Sequence, residues 1–219
     1  MSVAESVAAV RARIAAACAR AGRAESGVTL FAVSKTHPAA AIRAAAAAGV
    51  RDFGENYVQE LVAKGAELAD LDLRWHFVGH LQRNKAKDVV GRVALVHGVD
   101  SLALAEALDR RATAPLAVLV QVNAGDEAGK AGVGWDEVAP LVASMAKLER
   151  VRCRGLMAIP PLGDDNRPRF RRLAALAASL GLPEVSMGMS DDFEAAIEEG
   201  ATIVRVGTAI FGARGQQDG

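Results

Sequence analysis

TLFAVSK (29–35) and, one residue later, HPAAAIRAAAAAG (37–49) set the pattern of the chain: a short apolar run closed by a lysine, then an Ala-rich segment ending in glycine. The first reads as a strand apolar on both faces, as expected when layers cover it from either side. The second has helical composition and ends at Gly49, where a helix terminus favours a residue that tolerates positive φ. The pair then recurs. Strands are expected at RDFGENY (51–57), RWHFVGH (74–80), ALVHGVD (94–100), LAVLVQVN (116–123), VRCRGLMAI (151–159), EVSMGMS (184–190) and TIVRVGTAIFG (202–212). Between them lie VQELVAKGAELA, SLALAEALDRRAT, WDEVAPLVASMAKL and RFRRLAALAASLG, with apolar residues at spacings of three and four. Ser101 and Ser190, the latter with Asp191 and Asp192, are placed to cap helices, and Gly181 and Gly200 to stop them.

Working outward, an extra amphipathic helix is expected over about residues 4–22, and the tail 215–219 (GQQDG) is expected to fray. Strict βα alternation leaves a closed (β/α)8 barrel or an open doubly wound sheet. Eight units, a preceding helix and no long linker favour a TIM barrel occupying 1–219 as one domain. The chain has 219 residues, 51% hydrophobic, with 26 basic against 26 acidic side chains. That balance excludes disorder and argues against a nucleic-acid or membrane-surface binder. Cys18 and Cys153 cannot form a disulfide framework, and the N-terminal helix, broken by Arg11, Arg13 and Arg20, is neither leader nor membrane span. A soluble cytoplasmic protein is expected.

Several motifs fail. GDEAGKAG (125–132) lacks the spacing and hydroxyl of a phosphate loop and reads as a Gly-rich loop at a barrel mouth. GVGWDE (132–137) carries Glu137 where a dinucleotide fingerprint needs glycine. His76 and His80 stand four apart on a strand, not a helix, so no metal site is expected.

Lys35 is the informative residue. It ends a strand at the face where barrels of this kind build their sites. Phe31 and Val33 flank it on its own side, and desolvation there frees an amine to attack carbonyls. A strand-end lysine can equally snorkel to solvent. The other end of the chain decides between the two readings. Barrels commonly assemble a phosphate site from the loops after strands seven and eight. There Ser186 offers a hydroxyl, and Gly207 and Thr208 offer accessible N–H groups. Arg205, two residues earlier, can point into the mouth. Strand one adjoins strand eight once the barrel closes, so an aldehyde-bearing phosphate satisfies both ends.

The segments AVSKTHP, FGENYVQE, WHFVGHLQRNK, GLMAIPP, SMGMSDDFEAAIEEG and VRVGTAIFGAR, in that order over about residues 29–214, resemble those of the pyridoxal phosphate homeostasis proteins. The resemblance implies a fold-type III barrel like the N-terminal domain of alanine racemase, with Lys35 as the Schiff-base residue for pyridoxal 5′-phosphate. It implies that Asn56 and Met157 line the cofactor ring. Ser186, Met187, Gly207 and Thr208 would take the phosphate, and Arg205 would face the pyridine nitrogen. His80 and the 125–132 loop depart from the pattern, although Lys130 matches a lysine of the family.

An arginine opposite the ring nitrogen does not readily give up its proton, so the ring is a weak electron sink. Racemisation also needs a proton donor facing Lys35 from the other side. Alanine racemases take it from a further β domain, for which this chain leaves no room, and Tyr57 reads as packing. The expected function is therefore a binder that holds pyridoxal 5′-phosphate for intracellular homeostasis without turnover. The alternatives are a weak amino-acid racemase on the same cofactor and a cofactor-free sugar-phosphate isomerase. Expected partners are the cofactor and the apo-enzymes that use it, and a monomer is expected.

Overall fold

A computed structural model describes residues 1–127, 129–161 and 165–212. Its strands are β1 (Thr29–Val33), β2 (Asp52–Glu55), β3 (Arg74–Phe77), β4 (Leu95–Val99), β5 (Leu116–Val122), β6 (Val151–Ala158), β7 (Glu184–Ser186) and β8 (Ile203–Val206). They are all parallel and close into a barrel in sequence order, β1 pairing with β8 through Phe31 opposite Arg205. The helices are α1 (Val3–Arg20), α2 (Ala39–Ala47), α3 (Val58–Glu67), α4 (Ala86–Val89), α5 (Leu102–Asp109), α6 (Val138–Met145), α7 (Arg167–Ser179), α8 (Phe193–Glu198) and α9 (Thr208–Phe211). The fold is the (β/α)8 barrel with an added N-terminal helix that the alternation predicts.

The helix α1 starts at a capping box, Ser2 Oγ accepting from Glu5 N–H and Glu5 closing back on Ser2 N–H. Its buried face, Val7, Val10, Ile14, Ala17 and Cys18, follows the helical repeat. Fully burying each aliphatic side chain of that size is worth about 1.5–3 kcal/mol. Arg13 pairs with Glu194 at 2.7 Å and lies 4.4 Å over the Phe193 ring; Arg20 pairs with Glu198, and Arg11 donates to Gly49 O. These contacts seat α1 between α8 and α2, where the ring would otherwise lack a helix because α9 is a single turn.

Two apolar layers result. The sleeve between strands and helices is continuous, whereas the barrel interior holds a small cluster, Phe31, Val78, Leu95, Leu119, Met157 and Ile203. Gly54 makes room for the ring of Phe31: a Cβ there would fall 1.8 Å from Phe31 Cζ. The rest of the interior is polar, an unusual filling for a barrel and the reason it can do more than hold its shape.

Three sequence expectations change. EVSMGMS and TIVRVGTAIFG were expected to be extended throughout, yet the strands end at Ser186 and Val206, bonds between β7 and β8 run on only to Gly188, and Thr208–Phe211 folds as the turn α9. Gly188, at φ +85°, packs against Phe193 and Ala196 and turns the chain out of β7. Ser190 does not cap α8, whose N-cap is Asp192. Ser101 does cap α5, and Gly49, Gly181 and Gly200 take positive φ at helix ends. The expected fraying at 215–219 lies outside the described residues.

Candidate functional site

At the C-terminal mouth, the barrel extends β1 by one residue, Ser34 N–H donating to Gly54 O at 2.9 Å. The half-buried Lys35 comes next, and then Thr36 at φ +65°, a costly conformation for a β-branched residue. Both peptides around Lys35 are clamped from α3. Lys64 Nζ donates to Ser34 O at 2.8 Å, and Glu60 Oε2 accepts from Thr36 N–H at 2.8 Å. Lys64 also bridges Glu55 and Glu60 at 2.8 and 2.6 Å, and Ser34 Oγ donates to Glu55. Burial drives the fully enclosed Glu55 carboxyl above its ordinary range in spite of Lys64 and Ser34.

Across the β1–β8 seam, Gly207 approaches Val33 so closely that a Cβ would lie 3.3 Å from Val33 O. Gly207 and Thr208 open α9, whose first N–H groups have no preceding intrahelical carbonyl. Ser190 Oγ accepts from Ala209 N–H at 3.2 Å, which places its hydroxyl at this turn. The rings of His37 and Phe211 stack with centroids 4.9 Å apart, so the loop after Lys35 and α9 are in contact. The backbone at Lys35, the Ser190 hydroxyl and the start of α9 thus share one corner.

Beneath it lies the polar interior. Arg205 is 3% exposed, and its guanidinium donates to Ser186 Oγ and Ala158 O, both at 2.8 Å. Ser186 Oγ lies 2.9 Å from His97 Nδ1, His97 Nε2 lies 2.9 Å from His76 Nδ1, and His76 Nε2 lies 3.0 Å from Asp52 Oδ1. Arg74 holds Asp52 from outside through Nε at 2.8 Å and through NH2. Burial pushes the Arg205 guanidinium down to about 10, so it remains a cation near neutrality. Burial, with His76 and Arg205 nearby, pushes His97 well below the usual imidazole range and keeps it neutral. Burial alone would raise Asp52, but the bonds from His76 and Arg74 outweigh it and leave the carboxyl below its ordinary value.

The structure therefore brings Lys35, Gly207 and Thr208 together, with Arg205 below them. Met157 is buried in the interior beside Phe31 and Ile203, and the half-buried Asn56 follows β2 next to the clamp. Ser186 and Met187 sit deeper: the serine hydroxyl is engaged by His97 and Arg205. Met187 N–H donates to Ile203 O, and its side chain packs in the sleeve. Ser190, which the sequence places to cap a helix, instead meets α9, and His97 belongs to no sequence motif. The signal for His97 was parity, since Leu95 and His97 share one face of β4.

His76 and His80 part company, the first inside the barrel and the second largely exposed, 3.7 Å from Asp100. Among the described residues no group of three or more His, Cys, Asp or Glu could hold a metal, and no helix is long and apolar enough to cross a membrane. After β5 the chain folds back on Asn123, whose side chain brackets Glu127, and Lys130 pairs with Glu127 at 3.3 Å.

Residues 6–215 match the family model described as alanine racemase, N-terminal domain. Curated relatives named pyridoxal phosphate homeostasis protein include one from Pseudomonas aeruginosa, 50% identical over 97% of this chain and 96% of that one. Another, from Aquifex aeolicus, is 45% identical over 98% and 99%. Among solved structures, PipY of Synechococcus elongatus with PLP bound is 43% identical with a TM-score of 0.85, covering 96% of this chain and all of that one. Alanine racemase from Corynebacterium glutamicum, at 20% identity and TM-score 0.70, shares the fold over 61% of its length.

Proposed function

We propose that this chain, which belongs to the pyridoxal phosphate homeostasis protein family, binds pyridoxal 5′-phosphate and holds it reversibly on Lys35 as part of the intracellular homeostasis of that cofactor. One observation carries the reading: a lysine with both flanking peptides clamped follows β1, and across the β1–β8 seam Gly207 and Thr208 open α9 beside the Ser190 hydroxyl. The donor set fits the group. Ser190 Oγ and the N–H groups of Gly207 and Thr208 suit a phosphate, whose charge favours such exposed amides. Arg205 spends two of its five N–H donors on Ser186 and Ala158, which leaves others to aim at a ring nitrogen.

When bound, the cofactor supplies an aldehyde that condenses reversibly with an amine and a ring that can accept charge. The protein's residues orient and shield it. The clamp from Glu60 and Lys64 fixes the backbone on both sides of Lys35, and Met157 with Phe31 forms an apolar floor. Arg205 binds without yielding a proton, because its guanidinium stays charged at neutral pH. We assign the protein to the cytoplasm, as a monomer that supplies apo-enzymes, and read it as a carrier without turnover.

The test is chemical. Protein loaded with pyridoxal 5′-phosphate is reduced with borohydride and digested, and the pyridoxyl group is expected on the peptide bearing Lys35. Label found mainly on Lys85, Lys87 or Lys130 would overturn the assignment. A second expectation separates the serines at the phosphate end. Ser190→Ala should weaken pyridoxal 5′-phosphate binding by about 10- to 150-fold, since a charge-assisted hydrogen bond is worth about 1.5–3 kcal/mol, and should leave the affinity for unphosphorylated pyridoxal unchanged. Equal losses for both ligands in a titration would remove Ser190 from the phosphate site.

A further inference from the structure

The polar chain through the barrel connects its two mouths. Asp52 begins β2 at the N-terminal mouth, where it borders a cavity of about 410 Å³ together with Arg74 and His76. Arg205 faces the C-terminal mouth. Between them stand three side chains, His76, His97 and Ser186, each 5% exposed or less.

The two ends dictate where every proton lies. Arginine only donates, so Ser186 Oγ accepts from Arg205. An ionised carboxylate only accepts, so His76 Nε2 carries the hydrogen toward Asp52. Burial keeps His97 neutral, so only one of its nitrogens carries a hydrogen, and Nε2 gives it to His76 Nδ1. His97 Nδ1 is then an acceptor and receives the Ser186 hydroxyl hydrogen. Every bond points from Arg205 to Asp52. The reverse order would have both His97 and Arg205 donating to Ser186, leaving the serine hydrogen without an acceptor in a buried site, at a cost of about 1–3 kcal/mol. Arg205 makes no ion pair among the described residues: the nearby Asp192 favours its charge through space, and this polarised chain couples it to a second carboxylate, Asp52.

We propose that Asp52, His76 and His97 are positioning residues for Arg205: a carboxylate at one mouth of the barrel orients, through a single-file chain of hydrogen bonds, the guanidinium that meets the cofactor ring nitrogen at the other. The proposal rests on the cofactor site described above, and its test separates the two. In the unloaded protein with ¹⁵N-labelled histidine at pH 7.5, both His76 and His97 are expected as the neutral Nε2–H form, with a scalar coupling across the His97 Nε2–H···Nδ1 His76 bond. A cationic or Nδ1–H ring at either position overturns the chain.

Pyridoxal 5′-phosphate and its carbocyclic analogue, with C–H in place of the ring nitrogen, are then titrated into native protein and Asp52→Asn. Native protein is expected to prefer the true cofactor, and the variant, which keeps a hydrogen-bonding group but loses the charge, to lose at least threefold of that preference. Its His97 ¹⁵N signals should also move toward a mixture of tautomers, although residue 52 does not touch His97. Undiminished preference with unchanged His97 signals overturns the proposal. Native protein that does not distinguish the ligands defeats the Arg205–ring contact and the proposal with it, while borohydride trapping on Lys35 still reports on the cofactor site. If Asp52→Asn does not fold, the native protein decides: the His76 ¹⁵N shift should respond more to the cofactor than to the analogue, and equal responses overturn the coupling.

Discussion

Replacing Lys64 with alanine is expected to destabilise the protein by about 3–5 kcal/mol, which lowers the melting temperature of a chain this size by about 6–20 °C. Lys64 is the only cation in contact with Glu55 among the described residues, and Glu55 is completely enclosed. The same ammonium holds Glu60 and the carbonyl of Ser34. Removing it leaves a buried carboxylate beside a second one, and breaking a buried pair from one side is costly because the orphaned charge stays. The pH dependence fixes the cause. Burial already raises Glu55 in the native protein, and the loss of Lys64 raises it further. A carboxyl raised in the folded state binds its proton more tightly there than when unfolded, so stability falls as pH rises through that window. The deficit of Lys64→Ala should therefore shrink on going from pH 8 to pH 5.5. A loss below about 1 kcal/mol, or an equal deficit at both pH values by denaturant titration, would show that the clamp carries no such charge.

Incubated with L-alanine in deuterated water, the loaded protein is expected to exchange the α-hydrogen at close to the rate of the free cofactor and to form no appreciable D-alanine. A positioned acid or base typically contributes about 10²–10⁴-fold to such a proton transfer. Two requirements compete for this outcome. Lys35 approaches from one face only, and Arg205 keeps its proton, so the ring gains little capacity to hold charge. Tyr57, the only tyrosine in the chain, follows β2 and is 54% exposed, where water competes for its hydroxyl. Rapid deuterium incorporation with formation of D-alanine, abolished by Lys35→Ala, would establish a racemase and displace the carrier reading.

The barrel was legible because each strand carries its own evidence. TLFAVSK, LAVLVQVN and the others are buried on both faces, and that burial shows as apolar runs of the right length between helices of the right period. Lys35 stands out for the same reason: a charged residue ending an apolar strand is conspicuous. Ends of strands were less so. The residues after Ser186 and Val206 have strand-like composition, but the last bonds between β7 and β8 are Met187 N–H to Ile203 O and Arg205 N–H to Gly188 O, and beyond them the chain turns away. Gly188 and Gly207 then let the chain turn into the loops that carry Ser190 and α9.

The interior chain was not legible at all. Asp52, His76, His97 and Ser186 lie on β2, β3, β4 and β7, 89 residues separating the last two. Taken singly, each resembles an ordinary polar residue in a strand, and His76 invited comparison with the neighbouring His80, from which the fold separates it. By itself the sequence determined the architecture and the order of its units, because those depend on local periodicity and composition. Tertiary structure alone decided which polar side chains share the barrel interior, which serine meets α9, and which cation faces Glu55. Hydrogen bonds are satisfied between groups that closure of the barrel brings within 3 Å, and that distance has no counterpart along the chain.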